Sequence, residues 1–355
     1  MDKVVPNIIR KTSPYLRRPQ ASVTRMMRDV TIALMPVTIF AIYKFGLNAL
    51  LIILVSIVAM LATEYIYYQI VDKLDGDSFT WKNKSFSVYN FSAMTSGLIY
   101  ALTLPDNTPL IIAAIGAIFG VFFGKLIFGG LGQNVFNPAA LGRVFLMVSY
   151  GTLVSYDIDS VAGSTALGVL NDSIFNIGAV LQDFSLINLF TGIGIPGSLG
   201  EVSAILIIIG GVYLALRTSF EVRIPLAYVG TVALLAASVA IMKGLGIEYV
   251  LFHIFSGGLL FGAIFMATDP ITSPITMGGR IYFGFALGVL TFFIRIFGAY
   301  PEGVVFSILI MNMFVTSFDY YKWTNSKITK KQMIIFGVVV LVSIAVTLVG
   351  VSYVK

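Results

Sequence analysis

Apolar residues in this chain come in continuous runs, not in alternation and not as one-sided stripes, and the charges collect between the runs. The longest runs reach the ~20 residues that a helix needs to cross ~30 Å of hydrocarbon. Unbroken apolar runs predict helical spans; a β-barrel would show alternating positions instead. The runs fall near 30–45, 49–71, 88–104, 109–129, 136–150, 201–216, 224–242, 249–267, 281–298, 303–318 and 333–353. Several are short or interrupted: Pro138 follows Gly129-Gly130-Leu131-Gly132, and Thr268-Asp269-Pro270 closes the eighth. Breaks at membrane depth persist only where the freed backbone groups are buried in protein or line a cavity.

The pattern also repeats. Phe91-Ser92-Ala93-Met94-Thr95-Ser96-Gly97-Leu98 precedes Leu104-Pro105-Asp106, and Phe255-Ser256-Gly257-Gly258-Leu259 later precedes Thr268-Asp269-Pro270. Each is followed by a Gly/Phe-rich span with one basic residue, Lys125 in the first half and Arg295 in the second. Five spans per unit is an odd number, so the second unit would be inverted, as in many transport folds. The expected fold is an all-α polytopic membrane protein of about 10–11 transmembrane helices, with a 5+5 inverted repeat and broken helices. The expected divisions are an N-terminal segment (1–29), a first repeat (30–150), a loop (151–200), a second repeat (201–318), and a loop with an extra helix (319–355).

Charge orients this framework. Lys3, Arg10, Lys11, Arg17, Arg18, Arg25 and Arg28 precede the first span, which places the N-terminus in the cytoplasm. Lys73, Lys82 and Lys84, then Arg217 and Arg223, then Lys322, Lys327, Lys330 and Lys331 fall on the same side by parity. From Val144 to Leu216 there is no Lys or Arg, so the 151–200 loop is expected outside. The net charge of +6 therefore reads as membrane topology and not as nucleic-acid binding.

Composition then narrows the chemistry. Hydrophobic residues make up 57% and charged residues 11%, the latter under half the ~25% of soluble domains. There is no cysteine, which excludes thiolate-held iron–sulfur clusters, disulfides and thiol catalysis in this chain. A single histidine, His253, excludes bis-His haem and multi-His metal sites. Any electron handling must therefore use an organic cofactor. The long basic N-terminal region leads into a full span and does not resemble a cleavable signal peptide.

Within the basic-free loop, Asp159-Ser160-Val161-Ala162-Gly163-Ser164-Thr165-Ala166-Leu167 is a small-residue turn. Such residues are ordinary turn formers. They also leave the Thr165 hydroxyl sterically open for modification, and composition alone does not choose between these readings. Lys125, Arg143, Arg295, Asp106 and Asp269 lie within or beside spans, where charge is costly and turns towards protein. They fit a cation path or the anchoring of a cofactor, but also snorkelling at helix ends or internal pairing. Arg143 and Asp269, beside helix breaks, are the candidates for function. His253 reads as a hydrogen-bonded packing residue. The glycines at 129–132 have no βαβ context and so are no dinucleotide fingerprint.

Several of these stretches together resemble the D subunits of Rnf complexes and, more distantly, the B subunits of sodium-pumping NADH:quinone oxidoreductases. The resemblance covers essentially the whole chain. It rests on Ser13-Pro14, Met27-Arg28-Asp29-Val30 and Ala33-Leu34-Met35-Pro36, then on Gly132-Gln133-Asn134-Val135-Phe136-Asn137-Pro138-Ala139-Ala140-Leu141-Gly142-Arg143, and on Met266-Ala267-Thr268-Asp269-Pro270. It implies FMN joined through a phosphoester to Thr165, with Asp159, Gly163 and Ser164 in the attachment motif. Ala162 stands where a hydroxyl residue is usual, and Ser164, where alanine is usual, is the rival acceptor. The resemblance further implies a second flavin, such as riboflavin, the A, B, C, E and G partners of an Rnf complex, and a flavin transferase.

The expected function is a redox subunit of a ferredoxin:NAD⁺ oxidoreductase in the cytoplasmic membrane, coupling electron flow to Na⁺ or H⁺ movement and not catalytically complete alone. Iron–sulfur, ferredoxin and NAD sites would lie on other subunits. The short region before the first span favours this over the quinone-reducing relative. A channel or secondary transporter of inverted-repeat fold is the alternative from another class, and a scaffold with a vestigial flavin site is a third.

Overall fold

Helix already covers Val23–Phe45, ahead of the expected first span, with Met27, Thr31, Leu34, Thr38 and Ala41 on its buried face. The computed structural model describes residues 23–74, 90–151, 153, 157–158, 161–162, 167, 175–195, 197–201, 203–298, 303–320 and 330–353. The first half consists of α1 (Val23–Phe45), α2 (Leu47–Leu74), α3 (Ser92–Leu102), α4 (Leu110–Gly124) and α5 (Pro138–Ser149). Between the halves lie the two-residue strands Asp157–Ile158 and Val161–Ala162, paired antiparallel, then the short helices α6 (Ile177–Asp183) and α7 (Leu186–Thr191). The second half consists of α8 (Ala204–Leu216), α9 (Arg223–Lys243), α10 (Ile247–Phe255), α11 (Leu259–Met266), α12 (Met277–Phe297), α13 (Val304–Asn312) and α14 (Val315–Phe318). A last helix, α15, runs over Lys330–Tyr353.

This is an all-α polytopic membrane protein, and each expected apolar run coincides with helix. Several of the ten to eleven expected helices are short, as the interrupted runs predict. Among the described residues six helices are long and apolar enough to span, and α10 with α11 form a seventh, bent by 58°. The stretches expected at 88–104, 136–150, 201–216 and 303–318 hold shorter helices of 11, 12, 13 and 9 residues. The cause is local. Leu104-Pro105-Asp106 ends α3, Asn137-Pro138 starts α5 late, and Gly303, at φ 47°, starts α13. Gly129, Gly130 and Gly132 all take positive φ and unwind the chain after α4.

Corresponding elements of the two halves pack alike. α2 lies along α3 and α4, as α9 lies along α10 and α12. The halves then meet first helix to first, α1 on α8, and fifth to fifth, α5 on α13. In the second half α9 and α12 approach closely because Gly284 and Gly288 carry no side chain: a Cβ there would stand 2.6 Å from Ile224 O and 2.5 Å from Thr231 Cβ.

Polar contacts sort the loops between the two ends of the molecule. At one end, Asp29 near the start of α1 pairs with Arg25 (3.7 Å) and Arg217 (3.4 Å) and accepts from the Ser219 hydroxyl. At the same end Arg280 pairs with Glu221, and the N–H groups of Ile275 and Thr276 donate to Asp319 at 2.7 and 2.9 Å. At the other end, Lys44 at the close of α1 donates to the carbonyls of Gly192 (2.9 Å) and Ile195. There also the Lys243 ammonium lies 4.4 Å from the centre of the Phe175 ring. The described residues Phe175, Gly192 and Ile195 thus lie at the end opposite Arg217.

Candidate functional site

A cleft opens at the end shared by the start of α1 and the 217–222 loop. It lies between the halves. The N-terminal turns of α1 and α3, Lys125, the 131–138 loop, Ser219-Phe220 and the stretch from Phe265 to Ile271 line it.

Asn137 holds the two sides of this cleft together. Its side-chain oxygen caps α5 by accepting from the N–H groups of Ala139 (3.0 Å) and Ala140 (3.3 Å), with Pro138 as first helical residue. Its amide nitrogen donates to Met266 O at 3.2 Å, reaching across 129 residues to the end of α11. Asn312 at the end of α13 completes the joint. With its amide turned so that nitrogen faces carbonyls, it donates to Ile308 O and Thr272 O and accepts from the Asn137 N–H at 3.1 Å.

Just past that joint, α11 ends in a π turn over Gly262–Met266, and Asp269 follows. The Asp269 carboxylate accepts from the Thr272 hydroxyl at 3.0 Å, which folds the turn after Pro270 and leaves Asp269 on the cleft wall. Lys125 lines the same wall. Its ammonium contacts both oxygens of Glu64 at 3.0 and 3.1 Å and Ser92 Oγ at 3.0 Å, in surroundings where lysine and glutamate are both buried. Lys125 is therefore an internally paired charge and does not snorkel. Sequence reasoning passes over Glu64, although an acidic residue inside the 49–71 apolar run is the signal that finds it.

Arg295, the counterpart of Lys125, reaches the counterpart of Ser92. Its guanidinium donates to the carbonyls of His253 (2.6 Å), Ser256 (3.0 Å) and Gly257 (3.1 Å) at the break between α10 and α11. Both halves thus bring one basic side chain to the serine of the Phe-Ser motif. His253 is buried among the rings of Tyr249, Phe252 and Phe292, so it is a packing residue. Neither ring nitrogen has a hydrogen-bond partner among the described residues, contrary to the expected bonded state.

Of the residues singled out in the sequence, Asp269 lines the cleft. Arg143 is buried in α5 and is not on its wall, and Asp106 lies near Lys44 at the opposite end. Asp159, Gly163, Ser164 and Thr165 lie outside the described residues. The strand pair Asp157–Ile158 with Val161–Ala162 stands on either side of Asp159, and Leu167, two residues past Thr165 in sequence, is buried. No group of three or more His, Cys, Asp or Glu suited to a metal ion occurs among the described residues.

A multi-pass helical membrane protein of two similarly packed halves, with a cleft where they meet, is the class that these observations define. Residues 9–328 match the model of the NQR2, RnfD, RnfE family, and the chain belongs to that family. It is 37% identical over 319 residues to the D subunit of the proton-translocating ferredoxin:NAD(+) oxidoreductase complex of Clostridium ljungdahlii, covering 85% of this chain and 90% of that one. It is 35% identical over 313 residues to the D subunit of the Na(+)-translocating ferredoxin:NAD(+) oxidoreductase complex of Acetobacterium woodii, covering 86% and 91%. The B subunit of the Na(+)-translocating NADH-quinone reductase of Chromohalobacter salexigens is 37% identical over 246 residues, but this covers 65% of the chain and 58% of that protein.

Proposed function

We propose that this chain is the membrane redox subunit of an ion-translocating ferredoxin:NAD⁺ oxidoreductase, carrying electrons through FMN held on Thr165 by a phosphoester. The observation that carries the reading is the acceptor motif itself: Asp159, then Thr165 six residues on, in a stretch without Lys or Arg. The match to D subunits along 90% and 91% of their length, against 58% for the quinone-reductase relative, favours ferredoxin:NAD⁺ over NADH:quinone chemistry.

The arrangement of loops supports an outward position for the flavin segment. Its described flanks meet Lys44 and Lys243 at the end opposite the basic loops, and basic loops stay in the cytoplasm. The cleft then faces the cytoplasm. Asn134, Thr95 and Ser96 give its apolar walls the mixed donors and acceptors that a second, non-covalent flavin would use. Bound flavin supplies one- or two-electron transfer.

The chain's own residues set the surroundings. Glu64 neutralises Lys125, so Asp269 remains as the carboxylate on the wall that can meet a cation entering from the cytoplasm. Asn137 keeps that wall in register with α5. Partner subunits of the same complex carry the ferredoxin and NAD sites, since no cysteine is present to hold a cluster. The test is retention of flavin fluorescence by acid-precipitated protein produced together with its flavin transferase. Loss of that signal in Thr165→Val is expected; flavin released entirely on denaturing the unaltered protein contradicts the reading and leaves a channel or transporter.

A further inference from the structure

Two buried polar side chains share one face of α10, Tyr249 in its first turn and His253 four residues on. Tyr249 is 0% exposed and His253 1%. Their rings meet edge to face with centres 4.6 Å apart, and Phe252 and Phe292 flank the imidazole. Among the described residues, neither the Tyr249 hydroxyl nor either nitrogen of His253 has a hydrogen-bond partner. Two tyrosines buried as deeply differ in this: Tyr100 donates to Ala113 O at 3.0 Å, and Tyr228 shares a hydrogen bond with Thr291. Buried polar groups are nearly always bonded, to protein or to ordered water, because stranding one forfeits its hydration without return. Unbonded atoms on two neighbouring side chains of one helix face therefore mark a place for a small ligand.

The chemistry of these atoms selects the ligand. A neutral imidazole offers one donor and one acceptor, and the tyrosine hydroxyl offers both, so the ligand must donate as well as accept. A simple anion only accepts. A cation is opposed by the Arg295 guanidinium, which bonds the His253 carbonyl at 2.6 Å. We propose that α10 holds an internal water site, in which ordered water bonds the Tyr249 hydroxyl and the His253 ring. The site lies on the same helix as the break at Ser256 and Gly257, whose carbonyls Arg295 holds at 3.0 and 3.1 Å. Water there gives the second half a polar foothold inside its helix packing, next to the bend in the seventh span. The proposal stands independently of the reading of Thr165.

The experiment is X-ray hydroxyl-radical labelling of the full-length protein in isotope-labelled water, read residue by residue by mass spectrometry. Radicals formed from bound water react where they arise, so a buried side chain is labelled only where water sits beside it. Tyr249 and His253 should both be labelled well above Phe252 and Tyr228, which are buried as deeply. Labelling of either residue at the level of Phe252 overturns the proposal, and this comparison needs no variant. Tyr249→Phe keeps the ring and removes only the hydroxyl, so it should lower labelling at His253. His253→Phe should lower labelling at Tyr249, while His253→Gln, which still donates and accepts, should retain it. Residues that serve only as packing would show no such cross-dependence, and His253 labelling unchanged by Tyr249→Phe overturns the shared site.

Discussion

Glu64 and Lys125 place a full ion pair where neither partner meets solvent, with Ser92 as third member. Such a pair adds little net stability over apolar residues, yet removing one partner strands a buried charge. Lys125→Met should therefore destabilise the protein by about 3–5 kcal/mol, whereas Lys125→Met combined with Glu64→Leu should recover most of that loss. Thermal unfolding in detergent, with the two single variants and the double variant side by side, checks this. Asn137→Ala should cost roughly 1–2 kcal/mol for the lost cap, and more through the unpaired Met266 carbonyl. At this scale Lys125, Arg295 and Asp269 were legible as charges inside apolar runs, because each is expensive in lipid and must be explained. What each one pairs with was not, since Glu64 lies 61 residues from Lys125 and Arg295 takes backbone carbonyls, which no sequence pattern marks.

The same limit governs the elements. Helical character follows from unbroken apolar runs, and every such run contains helix. Length does not follow, because apolar residues continue beyond helix boundaries where Pro105 closes one helix, Pro138 opens another or a left-handed glycine unwinds the chain, and the chain runs on through buried protein. The bent pair α10–α11 was legible as an interruption, Ser256-Gly257-Gly258, while its support by Arg295 appears only when the elements pack. Arg295→Ala should loosen this break and leave three buried carbonyls without their donor; Arg295→Lys, with a single ammonium, should restore part of the stability. Protection of α10 and α11 amides in hydrogen–deuterium exchange is the measure, with protection lowest in the alanine variant. At the α9–α12 crossing, Gly284→Val introduces atoms where Ile224 O already lies 2.6 Å from a Cβ position. Overpacking of this kind costs about 1–3 kcal/mol, and more here because the obstacle is backbone. Its thermal midpoint should fall well below that of a lipid-facing change such as Ile241→Val.

Across the whole molecule, the two halves join through matching helices, α1 on α8 and α5 on α13, and the cleft lies between the halves. The repeat was legible from Phe-Ser and Pro-Asp landmarks in each half and from one basic residue following each. α15 stands apart: most of its side chains are exposed to the membrane, only Thr347 and Val351 are buried in it, and the family match ends at residue 328. A chain ending at residue 329 should therefore still fold and accept flavin; an aggregated or flavin-free product would contradict this division. The membrane framework was readable in the sequence because lipid imposes composition. The cleft was not, since it gathers residues from both halves, from Met26 to Ile271.

Everything claimed for electron transfer depends on the hydroxyl of Thr165, and peptide mass mapping of residues 144–200 from catalytically active complex tests it most directly. The account predicts an FMN-sized addition on Thr165 and none on Ser164; an unmodified segment, or the addition on Ser164, would contradict it.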